Sequence, residues 1–152
     1  MAASAWQLYN YAKRYIGNGT ITLGAGVFKM LLATSASNAS TFTISTYAQI
    51  TGEIAATGGY ATGGKALVPA TASWTVGASA KQMKFTMSSV GLAFTASGAS
   101  LTNVKYAIIR NSTGALAGKL LCFCQLSSSQ FTVTSPNTLT VLPAATGIFT
   151  LT

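Results

Sequence analysis

The chain has almost none of the side chains that carry acid–base chemistry. Its 152 residues contain no histidine and a single acidic residue, Glu53, against nine lysines and arginines. Catalysis near neutral pH and metal binding usually depend on several histidine, aspartate or glutamate side chains. We therefore predict that the protein is not an enzyme and has no catalytic residues, no cofactor and no metal site. A serine–lysine pair is the one hydrolytic arrangement that the composition permits, and nothing in the sequence brings such a pair together.

Charge of either sign is scarce. Charged residues make up only 7% of the chain, whereas a soluble domain normally has about 25%. Hydrophobic residues make up 49%, and the length fits one domain. A surface with so little charge favours association, so we expect much of it to be buried against copies of the chain or against a partner.

Long hydrophobic runs are also missing. A membrane-spanning helix needs about 18 consecutive apolar residues, and serine, threonine and glycine interrupt every apolar run well before that length. Residues 1–6 lead directly into polar and basic residues, so no secretory signal is predicted. We expect synthesis in the cytoplasm and no contact with a membrane.

The net charge of +8 raises the alternative of nucleic-acid binding. The basic residues are scattered, however, and only Lys13 and Arg14 are adjacent, whereas nucleic-acid-binding tails have longer runs of like charge. A scattered positive surface is typical of long-range attraction to a broadly acidic partner. Nucleic-acid binding is therefore the less favoured alternative.

The two cysteines, Cys122 and Cys124, have the spacing of one strand face, together with Leu120 and Leu126. We predict buried free thiols. A zinc site needs two further ligands, and a disulfide at this spacing is awkward within a regular strand. Free thiols fit a reducing cytosol.

Residues 1–17 predict the one helix of the chain, in the same unit as residues 18–152, which are expected to form a single β domain. Ser4 is the expected N-cap, and an apolar stripe at helical spacing runs from Ala5 to Ile16. The segment has more aromatic side chains than this stripe can hide. The helix either packs over an edge of its own sheet or anchors a neighbouring subunit, and we predict that it contacts another chain.

The rest of the sequence predicts short strands separated by glycine, serine, asparagine and proline. About eight strands are expected, at residues 27–33, 41–45, 82–87, 104–110, 119–126, 131–133, 139–141 and 149–151. The fourth and fifth form a predicted hairpin around an Asn-Ser-Thr-Gly turn. The expected fold is an all-β, antiparallel β-sandwich or barrel, of jelly-roll or immunoglobulin-like type. Residues 46–69 are expected to form a long loop, of the kind that is usually functional or held by a partner.

A glycine-rich segment at residues 59–65 fits part of a phosphate-binding loop. The next residue is Ala66, where magnesium coordination needs serine or threonine, and the chain has no aspartate to hold the metal. The segment instead predicts a tight turn that displays Tyr60 and Lys65. Glu53, nearby, is either a carboxylate paired with a lysine or a loop charge, and the second interpretation is favoured.

Four short segments after the helix, and the order in which they occur, resemble those of a known protein family. After the helix come the strand and loop VFKMLLATS at residues 27–35, GGYATGGKAL at 58–67, YAIIR at 106–110 and the closing strand GIFTL at 147–151. Together they resemble small virion structural proteins of tailed bacteriophages. Gly-Gly-Tyr-x-x-Gly-Gly-Lys is the most distinctive part. Such proteins often have more acidic residues, whereas this chain has one.

The resemblance implies a role in the virion shell or its appendages and brings no catalytic residues with it. We expect a capsid decoration, or cement, protein that binds the major capsid protein or another virion protein and forms a homo-oligomer, with a trimer favoured. Its expected location is the virion, after synthesis in the host cytoplasm. The alternatives are a tail, collar or fibre-attachment component and an internal DNA-binding virion protein. The predicted interface residues are Trp6, Tyr9, Tyr11, Lys13, Arg14, Tyr15, Tyr60 and Lys65.

Overall fold

A computed structural model of the chain describes residues 3–71, 73–77, 81–112 and 117–151. Strands account for 41% of the structure and pair in antiparallel sheets, with one helix near the N-terminus. The protein is therefore an all-β, sandwich-like fold with a short N-terminal helix. This confirms the fold class that the alternation of apolar and polar residues predicted.

The described residues form eleven strands, one α-helix and one 3-10 helix. In chain order these are β1 (Gln7–Leu8), α1 (Asn10–Gly17), β2 (Val27–Thr34), the 3-10 helix (Tyr47–Gln49), β3 (Lys65–Thr71), β4 (Ser73–Val76), β5 (Met83–Thr86), β6 (Leu92–Thr95), β7 (Leu101–Asn111), β8 (Leu120–Gln125), β9 (Phe131–Val133), β10 (Thr138–Val141) and β11 (Phe149–Leu151). The largest sheet has the order β1-β8-β7-β2-β3, and β9 also pairs with β7. Two smaller sheets have the orders β11-β5-β4 and β10-β6.

The main sheet is covered on both faces, so most residues of its two central strands, β2 and β7, are buried. Phe28 of β2 projects from one face and packs edge-on against Phe85 of the three-stranded sheet, with ring centroids 5.1 Å apart. The register places Phe123 of β8 on the opposite face. There it contacts the rings of Tyr9 and Phe42, at 5.1 and 5.4 Å. Long apolar runs in β2 and β8 therefore reflect burial from both sides.

Most predicted strands are present to within a few residues, and β7 and β8 form the predicted hairpin. Residues 113 and 114 of its predicted turn lie outside the described residues. The strand predicted at residues 41–45 is wrong. Phe42 lies in a turn segment, where its carbonyl accepts the Asn10 N–H and its ring covers Phe123. The predicted long loop ends earlier than expected because β3 begins at Lys65.

The helix begins later than predicted, at Asn10, and Ser4 does not cap it. The N–H of Ser4 instead donates to the Gln125 carbonyl at 2.8 Å, and its hydroxyl accepts the Gln125 N–H at 2.9 Å. Residues 4–8 therefore extend along β8. The open edge of β8 offers hydrogen-bond partners and an apolar surface, and these outweigh the helical spacing of Ala5 and Leu8.

Cys122 and Cys124 are buried free thiols in β8, as predicted. Burial raises the pKa of the Cys122 thiol well above its ordinary value and that of Cys124 to about 12. Both side chains are therefore protonated apolar groups of the core at neutral pH.

Candidate functional site

Two of the predicted interface residues are buried inside the chain, which corrects their assignment. Tyr9 is 0% exposed. Its hydroxyl donates to the Ala39 carbonyl at 2.7 Å. Tyr60 is 6% exposed and belongs to a hydrogen-bonded cluster described below. Neither ring is available to a partner, because Tyr9 packs against Phe123 and Tyr60 packs against Phe94.

The outer side of α1 keeps the other predicted helix residues at the surface. Tyr11 is 41% exposed, and its ring lies 6.2 Å from the half-buried ring of Tyr15. Lys13 and Arg14 are exposed. The ammonium group of Lys119 lies 5.3 Å from the centre of the Tyr15 ring. We call Tyr11, Lys13, Arg14, Tyr15 and Lys119 the helix surface; it combines aromatic rings with positive charge.

A groove of about 770 Å³ adjoins the helix surface. Its lining comes from residues 3–6 and Leu8, from β8 and the segment after it, and from most of residues 139–150. Lys13 belongs both to this lining and to the helix surface. Among the described residues, ten hydrophobic side chains pack against the core while remaining partly exposed, and half of them line this groove. They are Trp6, Leu8, Phe131, Leu139 and Phe149. A concentration of half-buried apolar side chains in one concave surface is typical of a binding site.

The groove also presents a few polar groups. Lys13 is the single charged residue in its lining. The Tyr9 N–H donates to the Leu121 carbonyl, so residues 7 and 9 direct their peptide groups toward β8. Peptide groups alternate along a strand, and Leu8 therefore directs its N–H and C=O away from β8, at the outer edge of the sheet.

Glu53 lies at the centre of a different cluster. Its carboxylate accepts hydrogen bonds from the Tyr47 hydroxyl at 2.5 Å, the Tyr60 hydroxyl at 2.6 Å and the Gly63 N–H at 2.7 Å. The Tyr60 hydroxyl in turn accepts the Leu32 N–H at 3.1 Å. Neither interpretation of Glu53 from the sequence is correct: its carboxylate is not paired with a lysine, and it is not a free charge in a loop. It ties the loop of residues 46–64 to β2.

Arg110 of β7 holds the same loop from the other side. Its guanidinium donates to the Gly63 carbonyl from Nε at 3.3 Å and from Nη2 at 3.0 Å, and its Cζ lies 4.5 Å from the centre of the Tyr47 ring. Gly64 has a φ of +80°, and a Cβ there would overlap the Met30 carbonyl. The glycine-rich segment is therefore shaped to fit against the sheet edge.

The environment of the cluster favours neutral tyrosines. Burial, with the hydrogen bond to Glu53, raises the pKa of Tyr47 to about 12. The same two causes raise the pKa of Tyr60 above its ordinary value. Both hydroxyls therefore remain donors to the carboxylate throughout the neutral range, and the cluster acts as a structural clasp.

The phosphate-binding interpretation of residues 59–65 is not supported. Lys65 begins strand β3, where a phosphate-binding loop leads into a helix. Its ammonium group donates to the Ala93 carbonyl at 2.9 Å. Lys65 is exposed, as predicted, but on the side of β6 and away from the groove lining.

Sequence reasoning identified Trp6 and Lys13 but missed most of the groove. The opposite side of the groove is formed by β10, β11 and the segment between them. The one sequence signal for it was the alternation of polar and apolar residues in these two strands.

Within the described ranges, no cluster of three or more histidine, cysteine, aspartate or glutamate residues could hold a metal. No helix among the described residues has the length and apolar character to cross a membrane. Comparison of the chain with protein-family models, with curated protein sequences and with solved structures finds no match.

Proposed function

We propose that the protein is a non-enzymatic structural component of a bacteriophage virion, and that it acts as a decoration protein on the outside of the head. One observation carries the non-enzymatic part. The only side-chain carboxylate, that of Glu53, accepts three hydrogen bonds inside a structural clasp, so it is not poised to act as a base or a nucleophile. The virion assignment rests on the resemblance of the segments at residues 27–35, 58–67, 106–110 and 147–151.

The surface supports a binding role. The Glu53 carboxylate is half-buried and hydrogen-bonded within the chain, and the other charged side chains are all lysines and arginines. A surface of one sign is drawn toward an acidic partner at long range. The helix surface adds tyrosines, which with arginine are the usual anchors of protein interfaces. We propose an acidic face of the major capsid protein, or of another virion protein, as the partner.

Copy number distinguishes a head protein from a tail protein. Quantitative mass spectrometry of purified virions should give on the order of hundreds of copies per particle for a decoration protein, since it follows the icosahedral lattice. About six or twelve copies would instead assign the protein to the tail, the collar or a fibre attachment, whose symmetry is low in order. Absence from particles would refute the virion proposal.

Point variants of the helix surface provide the matched test of binding. Tyr11→Ser with Arg14→Ser should lower occupancy on particles without lowering stability, because both side chains are exposed. Lys81→Ser and Val76→Ser, also exposed, are the control pair. Titration with duplex DNA at two salt concentrations tests the internal DNA-binding alternative, which predicts a steep loss of affinity with salt.

A further inference from the structure

We infer that the groove binds an extended, apolar peptide segment that carries acidic residues and belongs to a different protein. The groove is the surface lined by residues 3–6, Leu8 and Lys13, by Cys124, Leu126 and Phe131, and by most of residues 139–150. The inference rests on the proposed function, since it names the kind of partner that a binding protein of this sort would recognise.

The apolar lining indicates what fills the groove. Trp6, Leu139 and Phe149 are each partly exposed although they pack against the core. Leu142, which also lines the groove, is 57% exposed. Within the described part of the chain, every buried side-chain nitrogen and oxygen already has a hydrogen-bond partner. Most of the affinity is therefore expected from burial of apolar surface, at about 25 cal/mol per Å² before the costs of association.

The backbone of β1 indicates an extended peptide. The N–H and C=O of Leu8 point away from β8, and β1 is the last strand of its sheet. A peptide laid along this edge pairs its own N–H and C=O with Leu8 and places alternate side chains against the apolar lining. The edge is short, which limits the main-chain contribution and leaves the side chains to decide specificity.

Charge decides between a second copy of the chain and another protein. Lys13 is the one charged residue of the lining, and a carboxylate of the occupant best complements its charge. The chain has a single acidic side chain, and Glu53 is held by Tyr47, Tyr60 and Gly63. A second copy has no free acidic side chain to offer. Only one of the nine basic residues lines the groove, which also disfavours a nucleic acid, since polyanions need several cationic contacts.

The test uses mRNA display. A library of random linear peptides, each nine residues long, is selected against the immobilised full-length protein. We expect enrichment of sequences that combine aspartate or glutamate with alternating apolar residues. The best enriched peptide is then synthesised without tryptophan and titrated into a Trp74→Phe background. Trp6 is the only tryptophan left in that background, so its fluorescence reports occupancy of the groove.

Two matched pairs of variants link the binding to the groove. Lys13→Glu should weaken the selected peptide by at least about tenfold, and Lys81→Glu, an exposed lysine outside the lining, should not. Leu142→Glu should weaken it similarly, whereas Val76→Glu, at a position 66% exposed and outside the lining, should not. All four side chains are exposed or lie on an exposed helix face, so folding is preserved.

The inference is overturned if the library yields no enrichment, if the enriched peptides are basic, or if both members of a pair behave alike. It is also overturned if light scattering shows a dimer that Leu142→Glu dissociates, because the occupant is then a second copy. The proposed function is tested separately. Particles that bind wild-type protein and the Lys13→Glu and Leu142→Glu variants equally would refute the groove and leave the virion role intact.

Discussion

The Tyr60 hydroxyl donates a hydrogen bond to the Glu53 carboxylate at 2.6 Å and accepts one from the N–H of Leu32 at 3.1 Å. It thereby links the only acidic side chain of the protein to the edge of the main sheet, beyond the point where β3 stops pairing with β2. The loop also adds backbone bonds there, from the Thr34 N–H to the Gly52 carbonyl and from the Ile54 N–H to the Leu32 carbonyl. The loop therefore takes the place of a neighbouring strand beside this end of β2, and the hydrogen bonds from Glu53 through Tyr60 to Leu32 hold it there.

Removal of the Tyr60 hydroxyl should destabilise the protein more than removal of the Tyr47 hydroxyl. Tyr60→Phe leaves a carboxylate oxygen and the Leu32 N–H without this partner in a buried site, at a cost of about 1–3 kcal/mol. Tyr47 is more exposed, so water can replace its hydroxyl in Tyr47→Phe, and we expect about 0.5–1.5 kcal/mol. Urea unfolding of both variants measures the difference. Equal losses would show that the hydrogen bond between the Leu32 N–H and the Tyr60 hydroxyl adds nothing to stability.

Two glycines with similar backbone angles should respond very differently to alanine. Gly64 (φ +80°) and Gly98 (φ +75°) both pay the same left-handed strain when a Cβ is added. At Gly64 the new Cβ also overlaps the Met30 carbonyl, whereas at Gly98 nothing lies within 4 Å. We expect Gly98→Ala to cost about 1 kcal/mol and Gly64→Ala more than about 3 kcal/mol, measured by thermal or urea unfolding. Similar losses at both positions would contradict the close approach.

Stability should fall in the alkaline range. The ordinary pKa of a tyrosine is 10.0, and in the folded protein that of Tyr47 is about 12, with those of Tyr60 and Tyr9 raised as well. Below pH 10 these hydroxyls are protonated in both states, and their contribution to stability is fully present. Above pH 10 the unfolded chain loses protons that the folded chain keeps, so the free energy of unfolding decreases as pH rises toward 12 and beyond.

Urea titrations between pH 8 and pH 11.5 measure this decrease. Tyr60→Phe should show a shallower slope than the wild-type protein, because one of the shifted hydroxyls is gone. Tyr11→Phe, which removes an exposed hydroxyl at the helix surface, is the control. A stability that stays flat up to pH 11.5 would contradict the burial of these groups.

The thiols should be inert in the folded protein. Cys122 and Cys124 are buried, and their pKa values are raised, to about 12 for Cys124. We therefore expect Ellman's reagent at pH 8 to react with neither thiol on a timescale of minutes and with both after unfolding in guanidinium. Fast labelling of one thiol in the native protein would mean that the segment of residues 3–8 opens from β8.

The alternation of apolar and polar residues was enough to predict those strands whose tertiary neighbours favour the same structure. The alternation around Val104, Tyr106 and Ile108 predicted β7, and the return after the turn predicted β8 as its hairpin partner. Pattern failed at Phe42, whose alternation with threonine is that of a strand. Its place is decided by contact with Phe123, far away in sequence. The helix predicted for residues 4–8 was wrong for the same reason. Pairing with the edge of β8 stabilises these residues more than the helix that their spacing predicted.

The sequence by itself determined the all-β class, the buried thiols and the scarcity of acidic groups, because each depends on residue type or on neighbours a few positions apart. The tertiary structure decided that Tyr9 and Tyr60 are enclosed, that Glu53 is a clasp, and that Trp6 lies in one groove with Phe149. These depend on chain segments that meet only when the sheets close on each other. Which side chain becomes buried, and which is left half-exposed in a concave surface, is set by that closure and not by local preference.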